Sequence, residues 1–135
     1  MDKVYVEATY KSLNKLNEEL CGDRVEIVKN DDSYFVVLSD GLGSGVKANI
    51  LSTLTSKIIS TMMFQGASIE DTVETIVHTL PVCSVRKVAY STFMILQISY
   101  DGNAYLVEFD SPGCIFVRDG RLMNIEYNYR SIAGK

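Results

Sequence analysis

A hydrophobic strand that runs directly into an acid and then into glycines constrains this chain more than any other feature. Tyr34-Phe35-Val36-Val37-Leu38-Ser39 leads to Asp40, and Gly41, Gly43 and Gly45 follow before a helical periodicity begins near Val46. An ionised carboxylate at the end of a buried strand is costly unless a cation or hydrogen bonds compensate it. Glycines let the backbone turn sharply and approach another group closely. Carboxylates and bare carbonyls are the donors that hard dications take, and dications in turn hold phosphate. The competing reading makes Asp40 a helix N-cap, since Asp is favoured there. Ser44 is better placed for that role, because Asp40 lies early for a helix starting near Val46. A second acid, Asp23, follows Gly22 at the mouth of the preceding strand.

The 135 residues suit one domain spanning 1–135, large enough to bury a core. Apolar residues make up 47% and charged residues 22%, a globular profile that argues against disorder. The net charge of -4 and the lack of a basic stripe argue against a nucleic-acid partner. The apolar runs are too short to cross a bilayer, so no membrane role is expected. Met1-Asp2-Lys3 leads into alternating residues rather than an apolar signal segment. Cys21, Cys83 and Cys114 fit neither a zinc site nor a redox pair and read as reduced, mostly buried thiols of a cytoplasmic protein.

Alternation predicts a strand over residues 2–10 and another from Asp23 to Lys29. Asn30-Asp31-Asp32-Ser33 is turn chemistry, so the second of these should form a hairpin with Tyr34–Ser39. The continuous apolar run of that partner predicts a central strand covered on both faces. Val46, Ile50, Leu51, Leu54, Ile58, Met62 and Met63 mark the inner stripe of a helix ending at Gly66. Ser68-Ile69-Glu70-Asp71 resembles a capping box and opens a second helix, with Ile69, Val73, Ile76, Val77 and Leu80 inward and Pro81 as its stop. His78 stands alone near the end of that helix and reads as structural. Strands are expected over Ser91–Tyr100, Ala104–Phe109, Cys114–Arg118 and Arg121–Tyr127, with Asp119-Gly120 as a two-residue hairpin turn. Blocks of strands around a helix pair indicate an α+β fold with mainly antiparallel sheets.

Val36-Val37-Leu38-Ser39-Asp40-Gly41-Leu42-Gly43-Ser44-Gly45 resembles the first metal motif of the metal-dependent protein phosphatases of the PP2C superfamily. The bacterial branch typified by stage II sporulation protein E is the nearest in look. Cys21-Gly22-Asp23, Tyr90-Ser91-Thr92-Phe93 and Asp110-Ser111-Pro112-Gly113 fit that branch in order, so the resemblance spans about residues 1–130. It implies a PP2C-like αββα sandwich with a central helix pair and two Mn²⁺ or Mg²⁺ ions between the sheets. On that pattern Asp40 bridges both ions, Gly41 offers its backbone carbonyl to one, and Asp23 lies close to the pair. It also implies hydrolysis of phosphoserine or phosphothreonine by metal-activated water, with Asp40 as the catalytic residue through its hold on the ions, and phosphoprotein substrates such as anti-sigma-factor antagonists.

The family's later Ser-Asp-Gly motif and its C-terminal acid find no match up to Lys135. Asp101, Asp110 and Asp119 read as turn residues. An incomplete C-terminal part of the sandwich is therefore expected, with weak metal binding, little activity, and self-association as a homodimer through an uncovered sheet. Arg24, Arg86 and Lys87 are candidate phosphate-contacting cations, but solvated loop charges are the favoured reading of each. A non-catalytic regulatory module on the same scaffold is the alternative function. Direct nucleotide binding is disfavoured, because the glycine loop lacks the lysine of a P-loop.

Overall fold

The computed structural model describes residues 4–13, 16, 22–41, 45–79 and 91–129. The elements run β1 (Asp23–Lys29), β2 (Ser33–Asp40), α1 (Gly45–Phe64), α2 (Ile69–Thr79), β3 (Thr92–Ser99), β4 (Ala104–Phe109), β5 (Phe116–Arg118) and β6 (Arg121–Met123). Strands β1 to β4 form one antiparallel sheet in sequence order, and β5–β6 form a separate two-stranded sheet. The helix pair lies between β2 and β3 in the chain, as the α+β reading expects.

Local chemistry accounts for the turns. The Asn30 side-chain carbonyl accepts from the Asp32 and Ser33 amides at 2.8 and 3.0 Å, closing the β1–β2 hairpin. The same side chain donates to the Met63 carbonyl at 3.4 Å, which ties that hairpin to the last turn of α1. Helix α1 ends in a Schellman arrangement: Gly66, at φ 90°, donates to Met63, and Ala67 donates to Met62. Ser68 caps α2 by accepting from the Asp71 amide at 3.1 Å. Asp119 and Gly120, at φ 52° and 75°, make the β5–β6 turn, the left-handed pair that a two-residue hairpin requires.

One face of the four-stranded sheet carries the core. Phe35 and Val37 of β2 and Phe93 and Ile95 of β3 pack against Ile59 and Met63 of α1 and Ile69, Val73, Ile76 and Val77 of α2. Phe93 and Phe109 stack across β3 and β4 with centroids 5.1 Å apart.

Three expectations need correction. Residues 4–10 form no strand; the Val4 amide reaches the Tyr100 carbonyl at 2.9 Å, and one such bond does not make a ladder. Strand β2 is central but not covered on both faces. Both helices lie on one side, so Tyr34 and Val36 stay half-buried and Leu38 exposed on the other. The α1 stripe is only partly as expected: Met63 is buried and Ile58 packs against the core, but three of its apolar residues face outward. Val46, Ile50 and Leu54 are 62%, 57% and 50% exposed, while Ala48, Ser52, Thr55, Ser56, Ile59, Ser60 and Met63 face inward. Close approach of helix and sheet favours small side chains there. The buried hydroxyls cost little because each bonds a carbonyl of its own helix: Ser52 to Asn49, Thr55 to Leu51, Ser56 to Thr53 and Ser60 to Lys57.

The expected β5 and β6 strands are shorter than the alternation suggests, three residues each. Residues 111–129 fold over part of the open sheet face: Cys114 Sγ lies 3.3 Å from Met94 Sδ, and the Tyr127 hydroxyl donates to Glu108 at 3.0 Å. Cys114 is half-buried, and burial with the Glu108 carboxylate beside it pushes its thiol pKa up, so it reads as an unreactive thiol. Cys21, Cys83, Ser44, Leu80, Pro81, Arg86 and Lys87 lie outside the described residues. His78 is exposed on α2.

Candidate functional site

The β1–β2 register places Asp23 directly opposite Asp40, at the sheet end where β1 begins and β2 finishes. Strand alternation puts both carboxylates on the face away from the helices. Both residues are exposed. Partial desolvation, the negative charge of Asp40 and a hydrogen bond shared with it hold the Asp23 carboxyl above its ordinary value of 3.8. Two like charges this close disfavour joint ionisation, and a divalent cation between them removes that penalty.

Gly41 completes the group. Its amide donates to the Gly22 carbonyl at 2.9 Å, joining the two chain segments that carry the acids. Gly41 is buried against α1, and a Cβ there would overlap the Ala48 backbone. The third expected site residue therefore sits beside the acid pair, and its glycine identity has a packing cause. Its carbonyl and the two carboxylates are hard oxygen donors on one sheet end, a donor set that fits Mg²⁺ or Mn²⁺. Among the described residues no group of three or more acids, histidines or cysteines is placed to hold a metal.

The same sheet end gathers Thr92, which in the sequence stands out only within Tyr90-Ser91-Thr92-Phe93. Thr92 of β3 pairs in register with Asp40 on the side opposite Asp23 and is buried. Ser39 has a role that no sequence motif assigns. Its hydroxyl, fully buried, donates to the Ser52 carbonyl at 2.6 Å. A lone hydroxyl inside an apolar strand was the available signal.

Arg24 does not join the site. It lies opposite Ser39, on the helix-facing side, and pairs with Glu26 at 3.1 Å. Lys57 of α1 reaches the same carboxylate oxygen at 3.1 Å. Burial pushes Glu26 up, but hydrogen bonds and charge from Lys57 and Arg24 outweigh it and lower its pKa. Asp101 accepts from the Asn103 amide at 3.2 Å within the β3–β4 turn. Asp110 and Asp119 have positive φ, which suits turn residues.

A model of the stage II sporulation protein E (SpoIIE) family matches residues 30–129. The chain belongs to the SpoIIE family. Among solved structures, the PP2C phosphatase domain with a regulatory-domain fragment of SpoIIE from Bacillus subtilis superposes with a TM-score of 0.76 at 20% identity. That match covers 87% of this chain and 35% of the other. RsbX in complex with magnesium follows at TM-score 0.55 and 20% identity, covering 76% and 58%. The RsbU and RsbW domains of a Mycobacterium tuberculosis protein, Rv1364c, give 0.52 at 14% identity, covering 65% and 24%. No curated protein matches the chain significantly by sequence. The fold is thus PP2C-like and α+β, and the chain spans about a third of the length of the SpoIIE structure it matches. Of the expected αββα layers, the described residues supply one helical layer, one sheet and the β5–β6 hairpin. No described helix is long and apolar enough to cross a membrane.

Proposed function

We propose that this SpoIIE-family chain carries part of a metal-dependent serine/threonine phosphoprotein phosphatase centre. The Asp23–Asp40 pair, with the Gly41 carbonyl, would be its share of the metal ligands. The observation that carries the reading is the register that sets those two carboxylates side by side at the C-terminal end of β2. Asp40 is the residue on which activity depends. When bound, Mn²⁺ or Mg²⁺ supplies charge neutralisation of the phosphoryl oxygens and an acidified water. The chain itself holds the acids at fixed separation through the β1–β2 ladder and fixes the Gly41 backbone through the Gly22 bond. The natural substrate class is a phosphoprotein, such as an anti-sigma-factor antagonist in the cytoplasm. The test is hydrolysis of a phosphoserine protein with manganese present. Activity abolished by Asp40→Ala supports the reading, and hydrolysis unaffected by that change contradicts it.

The number of donors limits the affinity. Two carboxylates bring a charge of about -2 against the +4 of two dications, so binding by these residues alone is weak. The same scarcity favours a second reading, a non-catalytic binding module on the PP2C-like scaffold. Manganese-independent behaviour in every assay would favour it.

The open sheet face is the proposed surface for self-association. Val25, Ile27, Val36, Leu38, Leu96 and Leu106 lie on it, with Ile27 and Leu38 exposed. A second copy of this chain offers the same apolar surface and would bury it.

A further inference from the structure

Asp40 sits between two residues that face the opposite way. Ser39 and Gly41 are buried toward α1, while Asp40 is exposed on the other side of the sheet. Both neighbours touch the helix through its backbone. Ser39 Oγ donates to the Ser52 carbonyl at 2.6 Å, and the Gly41 Cα lies against the Ala48 backbone. Ala48 and Ser52 are four residues apart, so they stand on one helix face about 6 Å apart along the axis. Ser39 and Gly41, two residues apart in an extended chain, span about 6.6 Å. The two spacings nearly coincide, so strand end and helix meet at two matched points. Of these, only the Ser39 bond is directional; the Gly41 contact limits distance but permits sliding.

The bond is also unusual in what it joins. The other buried hydroxyls of this face, on Ser52, Thr55, Ser56 and Ser60, bond within α1. Ser39 alone among these bridges from the sheet to the helix, and it does so one residue before the acid.

We propose that Ser39 is a positioning residue for the acid pair. Its hydroxyl, bonded to the Ser52 carbonyl, fixes the end of β2 against α1 and so sets the direction in which Asp40 and the Gly41 carbonyl face a divalent cation. The proposal rests on the metal reading above, and its test separates the two. Two variants are compared with the wild type: Ser39→Ala, which removes the donor, and Ser52→Ala, which removes a neighbouring buried hydroxyl but leaves the accepting carbonyl. Amide hydrogen exchange without metal is read at Gly41 and at Val37 in the sheet centre, and Mn²⁺ affinity is read by calorimetry.

The expected result is faster Gly41 exchange relative to Val37 in Ser39→Ala, with Mn²⁺ affinity reduced about 10-fold, as for other residues that orient metal ligands. Ser52→Ala should leave both unchanged. Wild-type Mn²⁺ affinity retained in Ser39→Ala overturns the positioning role and leaves the metal reading intact. Equal effects of the two variants also overturn it, since that is what loss of packing alone produces. If the wild type binds no Mn²⁺, the metal reading fails, and the proposal toward that ion fails with it, even where selective loosening of Gly41 shows that Ser39 holds the strand end.

Discussion

At the scale of single residues, Asp23 is the group whose protonation reports on the site. Its folded-state pKa lies above 3.8 because of desolvation and the neighbouring Asp40 carboxylate. Between the ordinary value and the raised one, the folded protein binds more protons than the unfolded chain. Stability is therefore lost as pH rises through that window. In metal-free protein, Asp23→Asn should raise the melting temperature at pH 7 and have little effect below the ordinary carboxylate range. A melting temperature at pH 7 that falls on this substitution would contradict the electrostatic account. Gly41 makes a steric prediction instead. A methyl group there meets the Ala48 backbone, which cannot yield as a flexible side chain does. Gly41→Ala should cost about 1–3 kcal/mol in urea unfolding; a cost under about 0.5 kcal/mol would mean that strand and helix are not in contact there.

At the scale of elements, α1 is where hydropathy and packing part. Its helical extent was legible, because Gly66 and Ser68 punctuate the chain. Its inner face was legible only toward its C-terminal end, at Ile58 and Met63. Apolar periodicity selected Val46, Ile50 and Leu54, whereas the backbone approach at Ala48 and Ser52 requires small residues, and serine or threonine can satisfy its hydroxyl on its own helix. A paired substitution checks this. Ser56→Leu overpacks the buried face and should cost about 1–3 kcal/mol, while Leu54→Ser on the exposed face should change stability by less than about 0.5 kcal/mol. The reverse ranking would restore the hydropathy stripe. Helix α2 shows the ordinary case, in which Ile69, Val73, Ile76 and Val77 are both the apolar stripe and the buried one. The hairpin between β1 and β2 was also legible, and with it the pairing of the two acids: Asn30 fixes the turn, the turn fixes the register, and the register sets Asp23 opposite Asp40. What the sequence left dark was depth. Neither the Ser39–Ser52 bond nor the placement of Arg24 on the far face follows from a linear pattern, because both depend on which side of the sheet the helices take.

At the scale of the whole molecule, the helices and the core occupy one side of the sheet, and the acid pair opens on the other. That separation leaves the apolar residues around Leu38 on the same face as the acids. Association of two copies through this face should appear in sedimentation as a concentration-dependent dimer that Leu38→Lys disperses. A monomer at all concentrations would show that the face is not a self-association surface. The chain belongs to the SpoIIE family and has a PP2C-like fold. The central claim concerns this chain's own carboxylates, and the most direct measurement is paramagnetic broadening of its amide signals by substoichiometric Mn²⁺. Broadening should centre on Asp23, Asp40 and Gly41 and disappear in Asp40→Asn. Broadening spread over other surface acids, or unchanged in that variant, would contradict it.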